Sequence, residues 1–156
     1  MRFEHLVEIN DPNMPALEPL TADQVWQGLV LRGQSPELFV LGLDRAEITG
    51  RGDDWIERVL HFGNAQIRDR VVFEPRRSVR YETAATADHA GGTLTMTVET
   101  PGPGALLLRF TYETTMPAVD ASGDDRYAVI VKSAYHEADL DTVRKIRELA
   151  STGRLG

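Results

Sequence analysis

The chain has 156 residues, of which 42% are hydrophobic and 26% charged, so its composition is that of a globular protein and its length fits a single domain over residues 1–156. The formal net charge is −7 and the basic residues do not cluster, which argues against nucleic acid as a partner. The absence of cysteine excludes disulfides, thiol nucleophiles and cysteine metal sites.

The N-terminal segment predicts a strand followed by two short helices. MRFEHLVEIN alternates apolar and acidic residues, which is typical of a strand and unlike a secretory signal. After the proline-bearing connection DPNMPALEP, Thr21 caps a helix that ends at Gly33. Ser35 caps a second helix, with Pro36 at its first position and a stop at Gly42. No apolar run approaches the ~18 residues of a membrane span. The absence of cysteine makes the cytoplasm the expected compartment.

From residue 43 to residue 116 the hydrophobic pattern has a period of two and is interrupted by turn residues. This pattern predicts six antiparallel strands in a meander, which makes a seven-stranded sheet together with the N-terminal strand. The six strands are predicted at Asp44–Gly50, Trp55–Phe62, Gln66–Phe73, Ser78–Thr86, Thr93–Thr100 and Ala105–Met116.

One hairpin of this meander places a charged pair on the apolar face. A two-residue loop at Gly63 and Asn64 sets Arg58 opposite Asp69. If the other face of these strands pointed inward, many more charges would be buried. The desolvation cost therefore favours the arrangement in which the face with Arg58 and Asp69 points inward. The pair is then either an ion pair at the open rim of the sheet or a ligand-facing group in which Arg58 meets a carboxylate or enolate.

Turns at 75–77, 101–103 and Asp88–Gly91 extend this register over the rest of the meander. The loop at 101–103 also sets Leu106 opposite Val98. The predicted row across the sheet is Arg58, Asp69, Thr83, Met96 and Leu108.

The last element is a helix of roughly 28 residues, about 42 Å long. The apolar stripe of the second half is displaced to one side of the stripe of the first half. A bend near Asp139–Asp141 would accommodate this displacement, although one straight helix is also compatible with the pattern. The first half is predicted to face the sheet with Tyr127, Ile130, Val131, Ala134, Tyr135 and Ala138, and the second half with Val143, Ile146, Leu149 and Ala150.

This order of elements predicts an α+β helix-grip fold, in which a curved sheet wraps around the C-terminal helix. It resembles the superfamily that contains the birch-pollen allergens (Bet v 1), the START lipid-transfer domains and the bacterial polyketide cyclases. Within that superfamily, LTADQVWQGLVLRGQSPELF and AYHEADLDTVRKIRE resemble the AtaL-like group, whose biochemical role is largely unassigned. The resemblance implies a cavity between helix and sheet for an apolar or amphipathic molecule, and some members perform aromatase, cyclase or hydrolytic chemistry there.

The inward rows of this fold supply the candidate ligand-binding residues. Four of them are tyrosines, which bring apolar rings with hydroxyls and so suit an amphipathic chamber, although ordinary core packing is the alternative for each. The candidates are Arg58, Asp69, Val71, Tyr81, Thr83, Met96, Val98, Leu106, Leu108, Phe110, Tyr112, Tyr127, Val131 and Tyr135.

Metal and cofactor motifs are not evident in the sequence. Histidines are expected at an inward position (His5), on the reverse face of the sheet (His61), in a turn (His89) and on the outer arc of the helix (His136), with no ligand spacing among them. We therefore expect neither a metal nor a cofactor.

Three functions remain open from the sequence. The first is a protein that binds a small hydrophobic or amphipathic molecule, which includes lipid binding. The second is a cyclase-like or aromatase-like enzyme with Asp69 as acid or base and Arg58 stabilising negative charge. The third is an interaction module that uses a sheet edge or the DPNMPALEP loop. The sequence identifies neither the ligand nor the oligomeric state.

Overall fold

The computed structural model describes residues 1–86 and 91–155, and these fold into seven strands, two α-helices and one 3-10 turn. Within those ranges no helix combines the length and the apolar character that a membrane crossing requires. In chain order the elements are β1 (Arg2–Asn10), α1 (Ala22–Gln34), the 3-10 turn (Pro36–Leu38), β2 (Arg45–Arg51), β3 (Trp55–Phe62), β4 (Ala65–Glu74), β5 (Ser78–Thr83), β6 (Gly92–Glu99), β7 (Leu106–Thr114) and α2 (Arg126–Ser151).

The strands form one antiparallel sheet in the order β1-β7-β6-β5-β4-β3-β2. Strands β2 to β7 are therefore a meander, and β1 closes it by pairing with β7. The sheet curves, and α2 packs on β1 and on α1. The predicted helix-grip fold is confirmed.

Helix α1 begins where the sequence predicts it. The backbone N–H of Gln24 donates to the Thr21 hydroxyl at 3.0 Å, and the backbone N–H of Thr21 donates to the Gln24 side chain at 2.9 Å. This reciprocal capping satisfies two N–H groups that a helix start leaves unpaired. The second predicted helix is only the 3-10 turn Pro36–Leu38, because Ser35 also ends α1 through its backbone bond to Leu31 and its side chain makes no capping bond.

The predicted register is confirmed on β3, β4 and β5. Arg58 pairs with Asp69, and Asp69 pairs with Thr83. Both connections are tight turns, so the loop length fixes which residues face each other.

The predicted register is wrong beyond β5. Thr83 pairs with Gly92 instead of Met96, because β5 ends at Thr83 and β6 begins before the predicted start. The turn predicted at Asp88–Gly91 lies outside the described residues apart from Gly91, as does His89. Leu108 pairs with Val98 instead of Met96.

The second of these errors arises in the β6–β7 loop. The loop occupies residues 100–105, twice the predicted length, which shifts the pairing by two positions. A shift of two keeps every side chain on its predicted face. Leu106 and Leu108 therefore remain inside although their partners differ.

The two halves of α2 are buried to different extents. The second half buries Val143, Ile146 and Leu149 as predicted. In the first half Ile130 is 65% exposed, and Ala134 and Ala138 are exposed as well, so the predicted inward stripe is wrong at these three positions. The buried side of the first half passes instead through Ala128 and Asp139, on a helix that runs without interruption.

Gly28 of α1 lies in close contact with Ile146 of α2. A Cβ atom placed on this buried glycine would lie 2.8 Å from Cγ1 of Ile146, a fully buried side chain. Glycine at this position therefore allows the contact between the helices.

We expect Gly28→Val to lower the free energy of unfolding by about 1–3 kcal/mol, because the added side chain overpacks the contact with Ile146. Urea unfolding followed by circular dichroism measures this change. Gln27→Val, on the exposed face of the same helix, controls for the helix propensity of valine. Equal losses in the two variants would show that Gly28 is not needed for the helix contact.

Candidate functional site

A cavity of about 420 Å³ opens between the sheet, the end of α1 and the first half of α2. Most of its wall is made by side chains of the strands, and α2 contributes one side. It is lined by Arg32, Pro36, Val40, Arg58, Leu60, Phe62, Ile67, Asp69, Tyr81, Thr83, Gly91, Gly92, Thr93, Leu94, Tyr112, Thr114, Met116, Tyr127, Val131 and Tyr135.

The Arg58–Asp69 ion pair lies in this wall and is almost completely buried. The side chains are 3% and 5% exposed. Nε of Arg58 donates to Oδ1 of Asp69 at 2.8 Å, and Nη2 donates to Oδ2 at 2.5 Å. Nη1 donates to the backbone carbonyl of Gly33, at the end of α1, at 2.9 Å. The guanidinium therefore ties β3 to β4 and the sheet to α1, and both carboxylate oxygens accept from it.

Tyr81 lies next to two guanidinium groups. The Cζ atoms of Arg32 and Arg58 are 4.9 Å and 5.2 Å from the centroid of the Tyr81 ring, which is cation–π distance. The Tyr81 hydroxyl is buried and has no hydrogen-bond partner within the described residues. A buried hydroxyl of this kind is unfavourable until a donor or acceptor reaches it.

A second buried polar group is centred on Asp139 of α2, which is 2% exposed. Its Oδ1 accepts a hydrogen bond from the hydroxyl of Tyr112, and its Oδ2 lies 2.8 Å from Nδ1 of His5 on β1. Burial raises the pKa of Asp139, and the bonds to Tyr112 and His5 offset part of that increase. Burial, followed by the nearby charge of Asp139, raises the pKa of Tyr112.

Aromatic rings connect this polar group to the cavity. Tyr112 stacks on Phe3 and on Tyr135, with centroid separations of 4.8 Å and 4.7 Å. The ring of His136 meets the ring of His5 edge-on at 4.7 Å. His136 thus faces β1, and its predicted position on the outer arc of the helix is wrong.

The structure brings together part of the predicted ligand-binding set. Arg58, Asp69, Tyr81, Thr83, Tyr112, Tyr127, Val131 and Tyr135 line the cavity. Val71, Met96, Val98, Leu106, Leu108 and Phe110 belong to the hydrophobic core or pack against it, and they are not among the lining residues.

Sequence reasoning missed Arg32 and Asp139. Asp139 follows Tyr135 by four positions and precedes Val143 by four, so helical spacing places it on the buried side. That spacing is the signal that could have identified a buried carboxyl. Arg32 lies in the last turn of α1, where a basic residue also suits the helix dipole, so its sequence position does not separate the two roles.

Comparisons with known proteins relate this geometry to characterised folds. The family model described as acetylaranotin biosynthesis cluster protein L (AtaL) matches residues 7–153. No curated protein matches the chain by sequence.

Several solved structures share the fold. The ZhuI aromatase/cyclase from Streptomyces sp. R1128 superposes with a TM-score of 0.63 at 17% identity, over 97% of this chain and 93% of the other. A norcoclaurine synthase point mutant from Thalictrum flavum, in complex with a transition-state analogue, gives 0.63 at 15% identity, over 95% and 94% of the two chains. Ara h 8.0201 gives 0.60 at 12% identity, over 95% and 98%. At these identities the likeness shows the fold alone.

We expect Asp69→Asn to destabilise the protein by about 3–5 kcal/mol, because it leaves the Arg58 guanidinium buried without an anionic partner. The double variant Arg58→Met with Asp69→Leu should be more stable than Asp69→Asn, since neither charge remains buried. Chemical denaturation measures both. Asp141→Asn, in an exposed pair with Arg144, should cost at most about 1 kcal/mol. A loss of that small size in Asp69→Asn would contradict a buried pair.

The raised pKa of Asp139 gives stability a defined pH dependence. The folded protein holds this proton more tightly than the unfolded chain, so the contribution is fully present below the ordinary value of 3.8 and is lost as pH rises through the raised pKa. The free energy of unfolding of the wild type, minus that of Asp139→Asn, should therefore fall as the pH rises from about 4 through the raised pKa. Glu137→Gln, an exposed carboxyl on the same helix, controls for the loss of one charge. A difference that grows with pH would contradict the assignment.

Proposed function

The chain belongs to the acetylaranotin biosynthesis cluster protein L (AtaL) family, and from this membership and the cavity beneath α2 we propose that the protein binds a small hydrophobic or amphipathic molecule between its sheet and its C-terminal helix. The observation that carries the proposal is the cavity of about 420 Å³. Its volume falls in the range of roughly 300–1,000 Å³ that is typical of small-molecule sites.

The composition of the wall supports an amphipathic ligand. Apolar side chains provide most of the contact surface, and a small number of polar groups provide orientation, as in other small-molecule pockets. The apolar contacts come from Leu60, Phe62, Ile67, Leu94, Met116 and Val131, together with the tyrosine rings.

The way α2 packs supports a route for the ligand. The first half of α2 covers the cavity with Tyr127, Val131 and Tyr135, yet Tyr127 is 68% exposed and Tyr135 is 37% exposed. The second half is fixed by the hydrophobic core. A ligand therefore enters beneath the first half of the helix without disturbing the core.

The geometry favours binding over the cyclase-type alternative built on Asp69. A general acid or base must reach the ligand with a free oxygen. Both oxygens of Asp69 accept from Arg58, and the pair is almost inaccessible to solvent. The similar structures include an aromatase/cyclase and a norcoclaurine synthase, so turnover belongs in the test of this proposal.

We expect Val131→Trp to abolish ligand binding by filling the cavity from the helix side, while Val129→Trp, which is 55% exposed on the same helix, leaves binding intact. Native mass spectrometry of protein purified from its own host shows whether a ligand is retained. Thermal shifts with fatty acids and polyketide-like aromatic compounds then compare the variants.

The outcomes of that experiment separate the three functions. Retention of a compound without chemical change supports the proposal. Turnover that is lost in Asp69→Asn, checked for folding, would replace binding with catalysis. Indifference of the wild type to every compound would contradict the proposal and favour an interaction module.

A further inference from the structure

Two arginines line the cavity, Arg32 and Arg58, and they differ in how many of their hydrogen bonds and ion pairs the protein itself provides. Arg58 donates to both oxygens of Asp69 and to the carbonyl of Gly33, so its charge is neutralised and its three nitrogens are used. Within the described residues Arg32 makes one hydrogen bond, from Nε to the hydroxyl of Thr142 at 3.4 Å, near the limit of hydrogen-bond length. In that part of the chain no carboxylate contacts Arg32, so its positive charge at the cavity wall is not neutralised by an ion pair.

Arg32 has no carboxylate partner within residues 1–86 and 91–155. The buried carboxyl that feels its charge is Asp139, whose two oxygens are engaged by Tyr112 and His5. A half-buried guanidinium at the wall of a largely apolar cavity is costly without an anion, and its planar fork matches the geometry of a carboxylate.

The second unsatisfied group lies beside Arg32. Tyr81 is 5% exposed and lines the same cavity, and its hydroxyl has no hydrogen-bond partner within the described residues. The Arg32 guanidinium carbon lies 4.9 Å from the Tyr81 ring centroid, so the two side chains are neighbours in the cavity wall. A cationic fork beside a hydroxyl that is unpaired within the described residues favours an anionic acceptor.

We propose that the ligand is an organic acid whose carboxylate, or equivalent enolate or phenolate oxygen, binds the guanidinium of Arg32 beside Tyr81 while its hydrophobic body occupies the rest of the cavity. This inference rests on the proposed function, since it concerns the same cavity. In this arrangement Arg32 binds the negative charge of the ligand, and Arg58 and Asp69 hold the strands and the end of α1 that form the cavity wall.

The test compares two probes with the same ring system, 2-naphthoate and its neutral analogue 2-naphthamide, by isothermal titration calorimetry at neutral pH. The wild type should bind the acid about tenfold or more tightly than the amide, equivalent to about 1.4 kcal/mol. Arg32→Met should remove that preference and leave the affinity for the amide unchanged, because methionine retains the apolar stem of the side chain. Arg80→Met, an exposed arginine on the reverse face of β5, removes the same charge outside the cavity and should preserve the preference.

The outcomes distinguish this inference from the proposed function. Equal binding of acid and amide to the wild type, or an unchanged preference in Arg32→Met, overturns the anionic ligand and leaves the binding function intact. Failure of the wild type to bind either probe, together with no retained ligand in native mass spectrometry, overturns both. Tyr81→Phe provides a second measurement, in which a smaller loss confined to the acid supports the hydroxyl as a donor and an equal loss for both probes contradicts it.

Discussion

The bidentate contact between Arg58 and Asp69 constrains three elements at once. It pins the pairing of β3 with β4, and its third bond reaches the end of α1 through the carbonyl of Gly33. A slip of β4 by one residue against β3 would move Asp69 to the other face of the sheet and leave Arg58 without its partner. A buried ion pair adds little net stability, but removing one partner leaves the other charge buried and unpaired, which is costly. The pair therefore strongly favours the register that keeps Arg58 opposite Asp69.

The hydrophobic core and the cavity occupy different parts of the space between the sheet and the helices. On one side of the pair the inward residues Val71 and Phe110 are fully buried beneath α1 and the second half of α2. The close contact at Gly28 brings the helices together there. On the other side the first half of α2 rests on stacked aromatic rings, and the space beneath it stays open. The order of elements therefore predicts the fold. The cavity depends on the position along α2 at which the helix stops packing on the hydrophobic core.

The sequence predicts strand register correctly where the turns are tight, and less well at the longer β6–β7 loop and in the first half of α2. Tight turns determine their own register, so Arg58, Asp69 and Thr83 were placed correctly from sequence. The longer β6–β7 loop carries no such constraint, and the partner of Leu108 was wrong by two positions while its face was right. The predicted stripe of α2 is only partly right in the first half, because apolar residues there, such as Ile130, are exposed and hydrophobicity alone does not identify the side that faces the sheet.

The polar groups of the site divide into those that the protein satisfies and those that it leaves unsatisfied. Asp139 resembles a catalytic carboxyl by burial, yet both its oxygens are engaged by Tyr112 and His5, so it has no free oxygen for a ligand. Asp139 instead positions Tyr112, because it accepts the hydrogen bond of the Tyr112 hydroxyl. The side chain of Tyr112 in turn lines the cavity. Similar reasoning disfavours Asp69 and Arg58 as reacting groups, because their charges neutralise each other and both oxygens of Asp69 accept from Arg58. Within residues 1–86 and 91–155, Arg32 and the Tyr81 hydroxyl retain unused hydrogen-bonding capacity. Such unused capacity in a cavity wall is a better indicator of ligand chemistry than burial or charge alone.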